Sequence, residues 1–171
     1  MTLLNADRDL QENLVTTEEF RDAAGHFASG VTVIGTSKGH ELFGTTASAV
    51  LSLSMEPPMM LVCLNRSSTT HDAVVETGEF SISILSQDQG HLARHFASKS
   101  PDKFNDLAVN YLQGLPVVPE AITAMTCSVD TTTVGGTHTV FLGRVTGIET
   151  AQGQPLTYYR GGFGAFVPKS K

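Results

Sequence analysis

Residues 124–150 read AMTCSVDTTTVGGTHTVFLGRVTGIET. β-branched and apolar residues crowd its two arms, Ala124 to Thr133 and Thr139 to Thr150. Between them, Gly135-Gly136-Thr137-His138 has the composition of a turn. Val, Ile, Thr and Phe suit a pleated surface, and glycines supply the backbone freedom that a reversal needs. The stretch predicts two strands joined at a turn-like tip.

The same grammar continues on both sides. Leu156 to Tyr159 and Phe163 to Val167 are short strand patterns around Gly161-Gly162. Met59 to Leu64 is a continuous apolar run, as in a strand buried on both faces, and Pro57-Pro58 breaks the chain before it. Phe80 to Leu85 sets Phe80, Ile82 and Ile84 against Ser81 and Ser83, which predicts a half-buried strand. Val31 to Thr36 is mostly β-branched, Lys38-Gly39-His40-Glu41 reads as a hairpin turn, and Leu42 to Ser54 mixes small, hydroxyl and apolar residues.

Helical spacing interrupts this pattern. Phe20, Ala23, Ala24 and Phe27 share one helical face, Thr16 and Glu19 form a capping box, and Gly30 is a natural stop. A short helix runs through Ala73, Val74 and Val75. Ser86 and Gln89 make a second capping box before Leu92, Ala93 and Phe96. The expected fold is mainly β with a few short helices: a small barrel with helical additions. Strands and helices do not alternate regularly, and no GxGxxG opens a helix after a strand, which argues against a doubly wound dinucleotide fold.

The 171 residues fit one domain, expected over 16–171, behind a flexible N-terminal leader over 1–15. That leader carries Asn5, Asp7, Arg8, Asp9, Gln11 and Glu12 in place of an apolar signal core, and no apolar run approaches the ~18 residues of a membrane span. The expectation is a cytoplasmic protein with no membrane contact. Net charge is −6 and no basic patch is visible, which argues against a nucleic-acid partner. Cys63 and Cys127 lie in strand-like runs with no CxxC or His/Cys cluster, so we expect two buried thiols, no disulfide and no metal site.

Four segments carry candidate chemistry. Asn65-Arg66-Ser67-Ser68-Thr69-Thr70 follows an apolar strand and precedes a helix. A helix N-terminus offers unpaired N–H groups and partial positive charge, and hydroxyls with one Arg suit a phosphate. The same residues also read as an ordinary cap beside a solvated Arg. Gly44-Thr45-Thr46-Ala47-Ser48-Ala49 would let a flat ligand approach the backbone, or would simply pack against a helix. His138 on its glycine turn can project into a cleft, or into solvent. In Tyr158-Tyr159-Arg160-Gly161-Gly162, Arg160 can pair with a phosphate or carboxylate and a Tyr can stack on a ring; the alternative is an edge strand ending in a turn. There is no GxSxG elbow, no P-loop and no evident carboxylate pair. What is left suits a ligand that carries its own chemistry.

Taken in order, these segments resemble the short-chain flavin reductase family, whose members often serve as reductase components of two-component flavin monooxygenases. The resemblance rests on Phe27-Ala28-Ser29-Gly30-Val31-Thr32-Val33, Gly44 to Ala49, Pro57-Pro58, Val62-Cys63-Leu64-Asn65-Arg66-Ser67-Ser68-Thr69, Leu92 to Ser98, Asp102-Lys103-Phe104, Gly136-Thr137-His138-Thr139, Phe141-Leu142-Gly143 and Tyr158 to Gly162. It runs from about Phe20 to Phe166.

The resemblance implies an FMN-binding split β-barrel, usually a homodimer. It implies an NAD(P)H:flavin oxidoreductase that passes a hydride from NADH or NADPH to FMN or FAD for a partner oxygenase. A non-catalytic flavin-binding barrel is the alternative. By the same resemblance Thr45, Thr46, Ala47 and Ser48 lie along the flavin ring and ribityl chain. Cys63, Leu64, Asn65, Ser67, Ser68 and Thr69 belong to the ribityl and phosphate segment. Phe96, Ala97 and Ser98 line the same pocket, with Lys103 and Phe104 near the phosphate or adenylate. His138, as the catalytic residue, and Tyr159 and Arg160 fall on the nicotinamide side. Two positions depart from the family pattern: Thr137 replaces the acid of Gly-Asp-His, and Thr45 replaces a Met.

Overall fold

The computed structural model describes residues 15–100, 102–105 and 107–169. The leader expected over 1–15 therefore lies outside the described residues except for Val15, which is exposed. The elements in chain order are α1 (Thr17–Gly25), β1 (Ser29–Gly30), β2 (Thr32–Lys38), β3 (Glu41–Ala47), β4 (Val50–Met55), β5 (Pro58–Asn65), α2 (Thr69–Thr77) and β6 (Glu79–Ile84). A 3₁₀ turn (Gln87–Gln89) leads into α3 (Gly90–Ala97), β7 (Asn110–Leu112), β8 (Leu115–Val117), β9 (Thr123–Gly135), β10 (His138–Thr150), β11 (Leu156–Tyr159) and β12 (Gly162–Ala165).

Seven strands form one antiparallel sheet in the order β3-β2-β6-β9-β10-β5-β4. The sheet curls far enough for β3 to touch β5 as well. Two register shifts along β9–β10, at Leu142/Gly143 and Val145/Gly147, let these long strands bend. Gly143 is required there, because a Cβ would lie 2.6 Å from Phe80 Cζ. The result is a split β-barrel, as the family resemblance implies.

Successive residues of β2 face opposite sides of the sheet. Ile34 joins Val62, Leu64, Val74, Phe80, Ile82 and Phe141 in the core under α2. Val33 joins Val31, Leu85, Ala93, Phe96, Val118 and Leu156 under α3. Both faces of the sheet are thus covered near the middle, and this alters one expectation: β6 is buried on both faces, with Ser81 and Ser83 as inaccessible as Phe80 and Ile82. The serines are tolerated because each hydroxyl is bonded. Ser81 Oγ donates to Pro116 O, and Ser83 Oγ accepts from Val118 N at 3.0 Å. Their partners lie on and just after β8, in a hairpin that the strand patterns of the sequence do not announce. Its turn, Gln113-Gly114, has both residues at positive φ.

Both capping boxes form. The first opens α1, and the second opens the 3₁₀ turn before α3 rather than α3 itself. Helix α1 stops at Gly25, short of Gly30, which instead pairs with Thr157 across β1–β11. The apolar face expected on α1 is not packed within the chain: Phe20 is 66% and Phe27 83% exposed. Pro58 opens β5 rather than breaking the chain before it, and the mixed stretch from Leu42 divides into β3 and β4. Of the two cysteines, Cys127 is buried as expected and Cys63 only half-buried. Burial pushes the Cys127 thiol up to about 12.

Candidate functional site

The end of β5 and the start of α2 build one wall of a cleft. Asn65 Oδ1 accepts from both Ser67 N and Ser67 Oγ at 2.9 Å, and Asn65 O accepts from Ser68 N at 3.0 Å. This side-chain-stabilised turn directs the chain into α2. Ser68 is the N-cap, yet its hydroxyl makes no capping bond. First-turn N–H groups have no partner within a helix. The hydroxyl and these donors are therefore left for something else.

Thr45 of β3, Ala97 at the end of α3 and the segment after it supply the facing wall, with Ser98, Lys99, Ser100 and Lys103. The cleft measures about 560 Å³. Lys103 is pinned to α3, its Nζ donating to Phe96 O at 2.9 Å while its own carbonyl accepts from His95 Nε2 at 2.7 Å. Burial holds its ammonium below the ordinary lysine range. Among the described residues, two lysines and no carboxylate line this cleft. Four other clefts on the described surface each include an Asp or Glu. In a chain of net charge −6 this is the place where an anion is favoured.

Of the candidate residues, Thr45, Asn65, Ser67, Ser68, Thr69, Ala97, Ser98 and Lys103 meet in this cleft. His138 stands beside it. It is the register partner of Asn65 across β5–β10, and its Nδ1 lies 2.9 Å from Thr137 Oγ1. Arg66 N donates to Thr137 O at 3.0 Å and ties the histidine's turn to the phosphate-type loop.

The other candidates are elsewhere. Thr46 Oγ1 donates to Ala93 O at 2.7 Å and holds β3 to α3. Ala47 and Leu64 are buried in the core, Cys63 is half-buried, and Ser48 is exposed. Phe96 and Phe104 pack edge to face at 5.0 Å against Gly44. Tyr159 meets His26 edge-on, and Arg160 pairs with Asp22 at 2.9 Å. Arg160 lines a separate cleft with Glu18 and Arg21. Sequence reasoning missed Lys99 and Ser100. They lie beyond the last helical turn and carry no periodicity, so the only available signal was a lysine and hydroxyls next to Ser98.

This donor set fits a phosphate-bearing ligand, since an uncapped serine and a partly desolvated ammonium both gain from an anion. With the barrel, the geometry defines a β-barrel protein with a cleft suited to a phosphate group. A family model described as flavin reductase-like domain matches residues 24–166. The reductase component of a 4-nitrophenol 4-monooxygenase/4-nitrocatechol 2-monooxygenase from Rhodococcus opacus is 47% identical over 88% of this chain and 81% of that protein. An NADH-dependent flavin reductase from a Rhodococcus species is 34% identical over 87% of this chain and 86% of its own. The Streptomyces globisporus NADH:FAD oxidoreductase, solved with NAD and FAD fragments, superposes with a TM-score of 0.86 at 29% identity, covering 94% of this chain and 100% of that one. The chain belongs to the flavin reductase-like family.

Proposed function

We propose that this chain is an NAD(P)H:flavin oxidoreductase that delivers reduced FMN or FAD to a partner monooxygenase. The observation that carries the reading is the carboxylate-free cleft, in which the uncapped start of α2 faces Lys103. Ser67, Ser68, Thr69 and the first-turn N–H groups of α2 hold the phosphate, with Lys103 supplying charge. Thr45 presents its hydroxyl and backbone to the flavin ring. A bound flavin supplies the hydride-accepting chemistry. The protein contributes position: His138, next to Asn65, orients the nicotinamide, and the β5–β10 register holds the two nucleotide sides at a constant spacing.

The 47% identity to a 4-nitrophenol monooxygenase reductase supports a partner that hydroxylates a phenolic ring. We assign the working form as a homodimer of the 16–171 domain. Its support is apolar surface that the single chain leaves open: Leu51, Leu53 and Met55 on the edge strand β4, and Phe20 and Phe27 at α1. A cytoplasmic location completes the proposal; no described helix is long and apolar enough to cross a membrane.

The test is NADH and NADPH consumption by purified protein with and without added FMN or FAD. Turnover that saturates in flavin is expected and identifies the preferred pair. Flavin binding without turnover for any pair would leave the non-catalytic binding barrel. Sedimentation of wild type against Leu53→Glu reads the dimer separately.

A further inference from the structure

A second cavity, of about 410 Å³, adjoins the flavin cleft and has the opposite character. Leu92, Phe96, Phe104, Leu107 and Val118 give it an apolar wall. Asp88 and Glu120 are the charged groups at its edge, with His91 beside them. Among the described residues, neither carboxylate has a hydrogen-bond or ion-pair partner. The rim is rigid. Gln89 is buried, its amide donating to Pro119 O at 2.7 Å and its carbonyl accepting from Ser86 N at 3.0 Å. Glu120 is held at φ 59.

We propose that this cavity is a second ligand site, for a small ring compound carrying a protonated amine. Its volume lies within the range of small-molecule pockets and takes one ring with a short chain. The apolar wall takes the ring, and Asp88 and Glu120 take the ammonium and repel an anion of the same shape. Phe96 and Phe104 line this cavity, while their chain neighbours Ala97 and Lys103 line the flavin cleft. The two sites are therefore adjacent but chemically separate, one basic and one acidic.

The experiment is an NMR titration of methyl-labelled protein with 2-phenylethylamine, with phenylacetate as the probe of equal shape and opposite charge. Saturable shifts at the Leu92, Leu107 and Val118 methyls are expected with the amine and not with the acid. Glu120→Gln should weaken the amine about threefold, as for one exposed charge pair. Ala108→Trp, which fills the cavity from its lining, should abolish binding and leave flavin reduction without amine unchanged. The proposal is overturned by absence of saturable shifts in the wild type, or by equal binding of phenylacetate. Competitive displacement of the amine by FMN, FAD or NADH would also overturn it, since the cavity would then be part of the nucleotide site. Failure of the reductase reading shows in NADH consumption, which involves no amine.

Discussion

His138 on β10 and Asn65 on β5 are register partners, so the histidine's turn and the hydroxyl loop that opens α2 are held side by side by the sheet. One side chain organises the phosphate-type loop, and the other is the residue proposed to orient the nicotinamide. Replacing His138 by Ala should slow flavin reduction at least tenfold, with little change in flavin affinity. Stopped-flow reduction gives the rate and a fluorescence titration gives the affinity. Equal rates in mutant and wild type would remove His138 from the reaction.

Ser68 separates a ligand contact from a structural one. An N-cap serine that bonds its helix contributes to stability, but this hydroxyl makes no such bond. Ser68→Ala should therefore change unfolding free energy by less than about 0.5 kcal/mol. It should still weaken FMN several-fold while leaving riboflavin, which lacks the phosphate, unaffected. Loss of stability with unchanged FMN affinity would show that the serine is an ordinary cap.

Lys103 predicts a pH dependence with a definite sign. Burial disfavours its ammonium, so its folded pKa lies below the unfolded one. Without ligand, that burial costs stability while the group is charged in both states. The cost fades as pH rises from the folded pKa to the unfolded one. For an anionic ligand the direction reverses, and FMN affinity should fall as pH rises through the lowered value. Lys103→Met should bind FMN about tenfold more weakly and show no such step. Isothermal titration across alkaline pH, with riboflavin as control, reads both.

Gly44 keeps the aromatic wall in place. A Cβ there would meet Phe96 Cε1 and Phe104 Cε2, both at 2.8 Å. Gly44→Ala should cost about 1–3 kcal/mol, since the rings are packed and must shift. At about 2–4 °C per kcal/mol for a chain of this size, thermal melting resolves the change. The backbone of adjacent Thr45 should move with it, so flavin KM is expected to rise as well.

Elements that depend on near neighbours are legible in the order of the residues alone. The Thr16–Glu19 and Ser86–Gln89 boxes, the Lys38–Glu41 hairpin and the strand Leu156–Tyr159 are where their residues put them. Each is decided by contacts a few residues apart. The phosphate-type loop belongs with them, because Asn65, Ser67 and Ser68 bond to one another. Long-range packing settled the rest. Ser81 and Ser83 read as the wet face of a strand, and only the later segment around Pro116–Val118 supplies the partners that let them be buried. Arg160 reads as a partner for a phosphate or a carboxylate, and only the fold shows that a carboxylate, Asp22, meets it from 138 residues away. Phe20 and Phe27 read as one helical face, yet the helix ends at Gly25 and both stay exposed among the described residues. Hydrophobic spacing says which side chains should leave water. Which surface covers them depends on the sheet order β3-β2-β6-β9-β10-β5-β4, a property of distant pairings that no short window of residues contains.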